Sequence, residues 1–152
     1  MNGRAAATIH ASAVLVAARA VLIRGPAGSG KSRLALALIE ASRSGLLLPA
    51  RLVADDRAHV EAVNGRLLVR PAEVLAGLVE VRGLGLRRLP YEPVAVVGLV
   101  VDLAAADAVR LPETSSCTIE GIELPRLAVA AGHDPLLCVL AELTTAQAAT
   151  GS

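Results

Sequence analysis

The sequence predicts an α/β domain with a mixed central sheet flanked by helices, and three observations carry that expectation. First, an apolar run, Ala20–Ile23, leads straight into Gly25-Pro26-Ala27-Gly28-Ser29-Gly30-Lys31-Ser32, and a segment rich in helix formers, Ser32–Ile39, follows. That is a strand, a phosphate-binding loop and a helix in the order a P-loop requires. Second, Val94–Val101 is almost continuously apolar, the pattern of a strand covered on both faces. Third, 54% of the residues are hydrophobic, yet Tyr91 is the single aromatic. The core is therefore built from Val, Leu, Ile and Ala, which suits a sheet packed against helices.

The remaining elements follow in chain order. Met1–Ala7 reads as a loose end, Thr8–Val16 as a strand with His10 near its start, and Ala17–Arg19 as a turn back into Ala20–Ile23. The P-loop helix should run to about Ser42 and end at Ser44-Gly45. A loop through Pro49 delivers the strand Arg51–Ala54, closed by Asp55-Asp56. Asn64-Gly65 between Ala58–Val63 and Arg66–Arg70 marks a hairpin. Pro71 ends it, and Ala72–Ala76 has room for one helical turn. Leu78–Arg82 is strand-like, Gly83-Leu84-Gly85 reads as a flexible loop, and Pro90–Pro93 as an extended connection. After the apolar strand ending in Asp102, Ala104–Ser116 reads as loop, Thr118–Leu124 as a strand kinked at Gly121, and Leu127–Val129 as another. Asp134-Pro135 places an N-cap before a helix over Leu136–Leu143. With no repeat and no linker, residues 1–152 read as a single domain.

A formal net charge of +1 implies no general attraction to nucleic acid or membrane. The apolar stretch Ala11–Ile23 is broken by Arg19 and is too short to span a bilayer. Cys117 and Cys138 lack metal-ligand spacing and read as buried apolar residues of a reduced, cytoplasmic protein.

The loop motif carries the chemistry. Its glycines let backbone amides face phosphate oxygens, Lys31 would reach the β- and γ-phosphates of ATP, and Ser32 would ligate Mg²⁺. Lys31 is the only lysine in a chain whose other basic residues are arginine. Phosphoryl transfer also needs a metal carboxylate and a base. Asp55-Asp56 end one strand and could divide those tasks, while Asp102 ends the longer apolar strand and fits the generic pattern of a metal carboxylate better. Glu80 and Arg82 flank a valine and share a strand face, which from spacing alone reads as an exposed ion pair. Arg87, Arg88, Arg110 and Arg126 match phosphate geometry but singly read as surface arginines. His10 reads as a hydrogen-bonded strand histidine, and His59 and His133 carry no signal.

Several of these stretches together resemble one family. Ile9-His10-Ala11-Ser12, the P-loop, Leu52-Val53-Ala54-Asp55-Asp56-Arg57 and above all Glu80-Val81-Arg82-Gly83-Leu84-Gly85 are similar to the C-terminal catalytic domain of the HPr kinase/phosphorylase family, in a short form without the N-terminal domain. The resemblance implies a PEP-carboxykinase-like P-loop kinase domain that uses ATP and Mg²⁺ to phosphorylate a serine of the phosphocarrier HPr or a nitrogen-branch relative, with inorganic phosphate driving the reverse reaction. It implies that Asp56 takes the seryl proton, Asp55 supports metal or water, and Glu80 is a second metal ligand. His10 would lie near the phosphates, Arg110 would stabilise the transferred group, and the protein would form a hexamer. The chain departs from the family at Leu86-Arg87-Arg88, at Leu111-Pro112, in Gly121–Arg126 and in the longer connection Ser42–Ala50. Two rivals stand beside this reading: a small-metabolite kinase using Asp102 for metal, and a non-catalytic ATP-sensing module.

Overall fold

The computed structural model describes residues 7–108 and 115–145. Its first segment is two strands, β1 (Ala7–Ile9) and β2 (Ala11–Val16), separated by a bend at His10. β2 is nearly all buried and turns at Ala17 into β3 (Arg19–Arg24), pairing Ala11 with Arg24 and Val16 with Arg19. The loop then gives α1 (Lys31–Arg43), which buries Leu34, Ala35, Leu38 and Ile39 at the spacing of one helical face. Gly45, at φ 80°, takes the left-handed position that ends it.

β4 (Ala50–Ala54) pairs with the free edge of β2. β5 (Ala58–Val63) and β6 (Arg66–Pro71) form the expected hairpin, with Asn64 and Gly65 both at positive φ as its two-residue turn demands. A single 3-10 turn, Glu73–Leu75, follows. The Gly83-Leu84-Gly85 segment is not a free loop. It closes a second hairpin of β7 (Leu78–Val81) and β8 (Gly85–Arg88), which forms its own two-stranded sheet.

β9 (Ala95–Asp102) lies parallel to β3 and is the expected central strand. Its register against β3 slips between Val97 and Leu99, leaving Gly98 unpaired; a Cβ there would stand 2.7 Å from Arg19 Cβ. The stretch expected to be a kinked strand is instead a hairpin, β10 (Ser116–Ile119) and β11 (Ile122–Ala128). Glu120 and Gly121 both sit at positive φ and turn the chain, although Glu-Gly lacks the composition that signals such a turn. β11 runs on as one strand, parallel to the end of β9. α2 (Pro135–Thr144) starts where expected, its cap Asp134 accepting the Leu136 amide at 3.0 Å.

The main sheet runs β1-β5-β6-β9-β3-β2-β4, with β11 beside the C-terminal end of β9. Alternation along its strands divides the core in two. Val14, Val16, Val21, Ile23 and Val101 face α1 and α2, packing on Leu34, Leu38 and Val139. Ala11, Ala13, Leu22, Val53 and Val100 face the other way, where they meet Val60, Leu67, Val69, Ile119 and Leu124. That second face is covered by strands of the curled sheet rather than by a helix among the described residues. Among those residues no helix is long and apolar enough to cross a membrane.

Candidate functional site

β3 ends at Arg24 and the chain must then turn without a side chain in the way. A Cβ on Gly25 would fall 2.5 Å from Ser29 Oγ and 3.1 Å from Leu103 Cβ, so only glycine fits. Gly28 and Gly30 adopt φ 80° and 98°, and the Ser29 amide closes the loop on the Pro26 carbonyl at 3.0 Å. Lys31, only 8% exposed, folds back to donate its Nζ to the carbonyls of Gly25 (2.9 Å) and Pro26 (3.3 Å). Ser29 Oγ, also in this loop, is the one buried side-chain polar atom left without a partner among the described residues. A tight glycine cradle at a helix N-terminus, closed by an ammonium, is chemistry that suits polyphosphate.

β4 brings the aspartates to the loop. Asp55, 6% exposed, accepts on Oδ1 from Ser32 Oγ (2.7 Å) and Ser12 Oγ (2.8 Å), and on Oδ2 from the Glu80 amide (3.3 Å). Asp56 is exposed, at φ 67°, with its amide donated to Ser12 Oγ at 3.2 Å. Ser32, Asp55 and Asp56 are thus one cluster. Among the described residues no group of three or more His, Cys, Asp or Glu is placed to hold a metal ion. Ser32 and Asp55 offer the sparse set that suits Mg²⁺, which keeps waters and takes phosphate oxygens as its other ligands.

Glu80 reaches the cluster through its backbone. Its side chain is exposed on β7, opposite Leu86, and Arg82 lies in the hairpin turn, so the same-face ion pair does not form. His10 is exposed at the bend between β1 and β2 rather than inside a strand. Arg110 lies outside the described residues. Ser12 went unnoticed as a site residue; the signal available was a lone hydroxyl inside the apolar run of β2.

Asp102 is differently employed. Its carboxylate takes a bidentate pair from Arg24 Nε and Nη2 (2.7 and 2.8 Å) and a further bond from Arg126 Nε. Arg126 turns its other two nitrogens to Asp107 (2.9 and 3.0 Å). Burial pushes the Asp102 carboxyl up, but the hydrogen bonds from Arg24 and Arg126 outweigh it and hold it below the usual aspartate value. Bonds to Asp107 and Asp102 push the Arg126 guanidinium up in turn. The carboxylate with the better generic pattern is therefore a charge-balanced brace joining the end of β9 to β3 and β11, and Asp55 is the one that meets Ser32.

Comparison with known proteins places the fold and the family. A solved structure from Coxiella burnetii, described as an Hpr(Ser) kinase/phosphatase, superposes with a TM-score of 0.73 at 28% identity, covering 90% of this chain and 94% of that one. The HPr kinase/phosphorylase of Streptococcus thermophilus is 41% identical over 80 residues, 52% of this chain and 24% of the relative. That of Clostridium beijerinckii is 37% identical over 78 residues, 51% of this chain and again 24% of the relative. The matched segment thus spans about a quarter of these curated relatives. The family model of the HPr Serine kinase C-terminal domain matches residues 4–89, the stretch holding the P-loop, both site aspartates and the β7–β8 hairpin. With more than half its length matched, the chain belongs to the HPr serine kinase C-terminal domain family.

Proposed function

We propose that this chain is an ATP-dependent kinase that phosphorylates a serine on HPr or a nitrogen-branch HPr-like protein, with phosphate-driven removal as its reverse reaction. The observation that carries the reading is the contact of Ser32 Oγ with Asp55 Oδ1 at 2.7 Å, with exposed Asp56 next in the chain. Bound Mg²⁺ and ATP would supply the phosphoryl group and neutralise the charge that develops during its transfer. The amides of Gly25–Ser32 hold the phosphates, and Lys31 exchanges its two loop carbonyls for phosphate oxygens. Ser32 and Asp55 hold the cation, with Glu80 as a further ligand from the hairpin. Asp56 accepts the proton of the acceptor hydroxyl, the general-base role that its exposure and its lack of an ion pair among the described residues support.

The acceptor protein rests on the β7–β8 hairpin. All four residues of β8 are exposed, Leu84 and Leu86 each at 63%, and Arg82, Arg87 and Arg88 surround them. His10 near the phosphates, Arg110 on the transferred group, hexameric assembly and a cytoplasmic location belong to the same reading by family resemblance. The guanidiniums of Arg24 and Arg126 on Asp102 argue against the metabolite kinase that would use that carboxylate for metal.

The test is transfer of labelled γ-phosphate from ATP to a purified HPr-like protein. Transfer that is lost in Lys31→Ala supports the kinase, and release of label on adding inorganic phosphate supports the reverse direction. ATP binding without transfer would favour the sensing module instead.

A further inference from the structure

Ser12 is fully buried in β2, between Ala11 and Ala13 on a strand that is otherwise apolar. A hydroxyl costs free energy in such a place unless it is hydrogen-bonded. Both of its bonds go to the aspartate pair: Oγ donates to Asp55 Oδ1 at 2.8 Å and accepts the Asp56 amide at 3.2 Å. One side chain on β2, which pairs with the strand that enters the loop, therefore touches both carboxylate residues of the site.

Each bond addresses a separate need. Asp55 Oδ1 also takes Ser32 Oγ, the group a cation would claim, while Oδ2 has, among the described residues, only the long bond from the Glu80 amide. Ser12 is the buried donor that stays with Asp55. Asp56 sits at φ 67°, a left-handed conformation that is costly for a residue with a side chain. Its amide bond to Ser12, together with the tight Arg57 amide to Asp55 carbonyl contact at 2.7 Å, holds it there. In that conformation the Asp56 side chain is exposed while Asp55 is buried.

We infer that Ser12 is a positioning residue for the aspartate pair, aiming Asp55 at the cation site and presenting Asp56 to the acceptor hydroxyl. This rests on the kinase reading for the role of Asp56, but its claim on Asp55 requires only that the site bind a nucleotide with a divalent cation.

The test uses Ser12→Ala and Ser12→Cys, the second retaining side-chain volume with a far weaker donor. Three quantities are read: the thermal midpoint, the Mg²⁺ dependence of ATP binding without acceptor, and kcat and KM for transfer. Both variants should fold, need about 10-fold more Mg²⁺ for half-maximal ATP binding, and lose about 10- to 100-fold in kcat with acceptor KM nearly unchanged. Wild-type Mg²⁺ dependence and wild-type kcat in folded Ser12→Cys would overturn the inference, as would losses that follow only the unfolded fraction. Should the wild-type chain transfer nothing to an HPr-like protein, the kinase reading fails alone. The Mg²⁺ dependence of ATP binding would still decide whether Ser12 positions Asp55.

Discussion

Asp55 and Asp102 are two aspartates at the ends of two buried strands, and they have opposite kinds of partner. Asp55 is held by two hydroxyls and a backbone amide. Those donors are neutral, and among the described residues no cation pairs with its charge beside the phosphate loop. Asp102 is held by two guanidiniums in a network that Asp107 extends, so Arg24, Asp102, Arg126 and Asp107 sum to zero. Neutral donors leave a carboxylate available to a cation, whereas permanent cations occupy it. The same residue type at the end of a strand is thus bonded by neutral donors in one case and braced by arginines in the other, and the proposed cation-binding role falls to the first.

The largest effect expected from this contrast lies beside Asp55. Asp56→Asn should lower kcat for transfer by about 10²- to 10⁴-fold, the range of a lost general base, with ATP affinity near wild type. Single-turnover transfer together with equilibrium ATP binding checks it. A wild-type transfer rate would remove Asp56 from the mechanism.

Asp102→Asn should separate the two aspartates. It takes the charged partner from Arg24 and leaves Arg126 paired with the solvent-exposed Asp107, and should cost about 1–3 kcal/mol of stability. At a temperature where the variant is folded, the Mg²⁺ dependence of ATP binding should match wild type. If Mg²⁺ dependence shifts and the denaturation midpoint does not, the roles of the two carboxylates are the reverse of those assigned here.

A smaller effect follows from pH. The folded-state value of Asp102 lies below its ordinary 3.8, so the folded chain binds that proton less readily than the unfolded one. Its contribution to stability is fully present above about pH 5 and is lost as pH falls through 3.8 toward the folded value. Thermal midpoints measured from pH 5 downward should fall more steeply for wild type than for Asp102→Asn. Parallel curves would show that the arginines do not favour the charged form.

How much of this was legible in the sequence depends on the range over which each signal acts. The P-loop and the Asn64-Gly65 hairpin are local, written in adjacent residues, and both formed as expected. The Asp134 cap is local too. The β10–β11 turn is equally short, but Glu120-Gly121 lacks the Asn or Asp that usually marks a left-handed pair. β8 was hidden because its residues are all exposed and show no alternation of burial. The two aspartate environments could not be read at all from spacing. Arg24 meets Asp102 across 78 positions because β3 and β9 run parallel in that register, and Ser12 meets Asp55 across 43. Residue patterns left Asp55-Asp56 and Asp102 both open as carboxylate candidates, and the family resemblance pointed to the pair.

The smallest expected effect probes where the brace ends. Asp107 grips Arg126 with two good bonds, but its carboxylate is open to solvent, and the bonds to Arg126 hold it below the usual range with little burial opposing them. Water and salt screen such a pair, while Arg126 remains bonded to the more enclosed Asp102. Asp107→Asn should therefore lower the thermal midpoint far less than Asp102→Asn, and the difference from wild type should shrink between about 0.05 M and 1 M salt. Melts at the two salt concentrations check this. A salt-independent loss as large as that of Asp102→Asn would mean that Arg126 is held from the outside, by the loop after β9. The brace would then depend on Asp107 rather than on the carboxylate at the end of that strand.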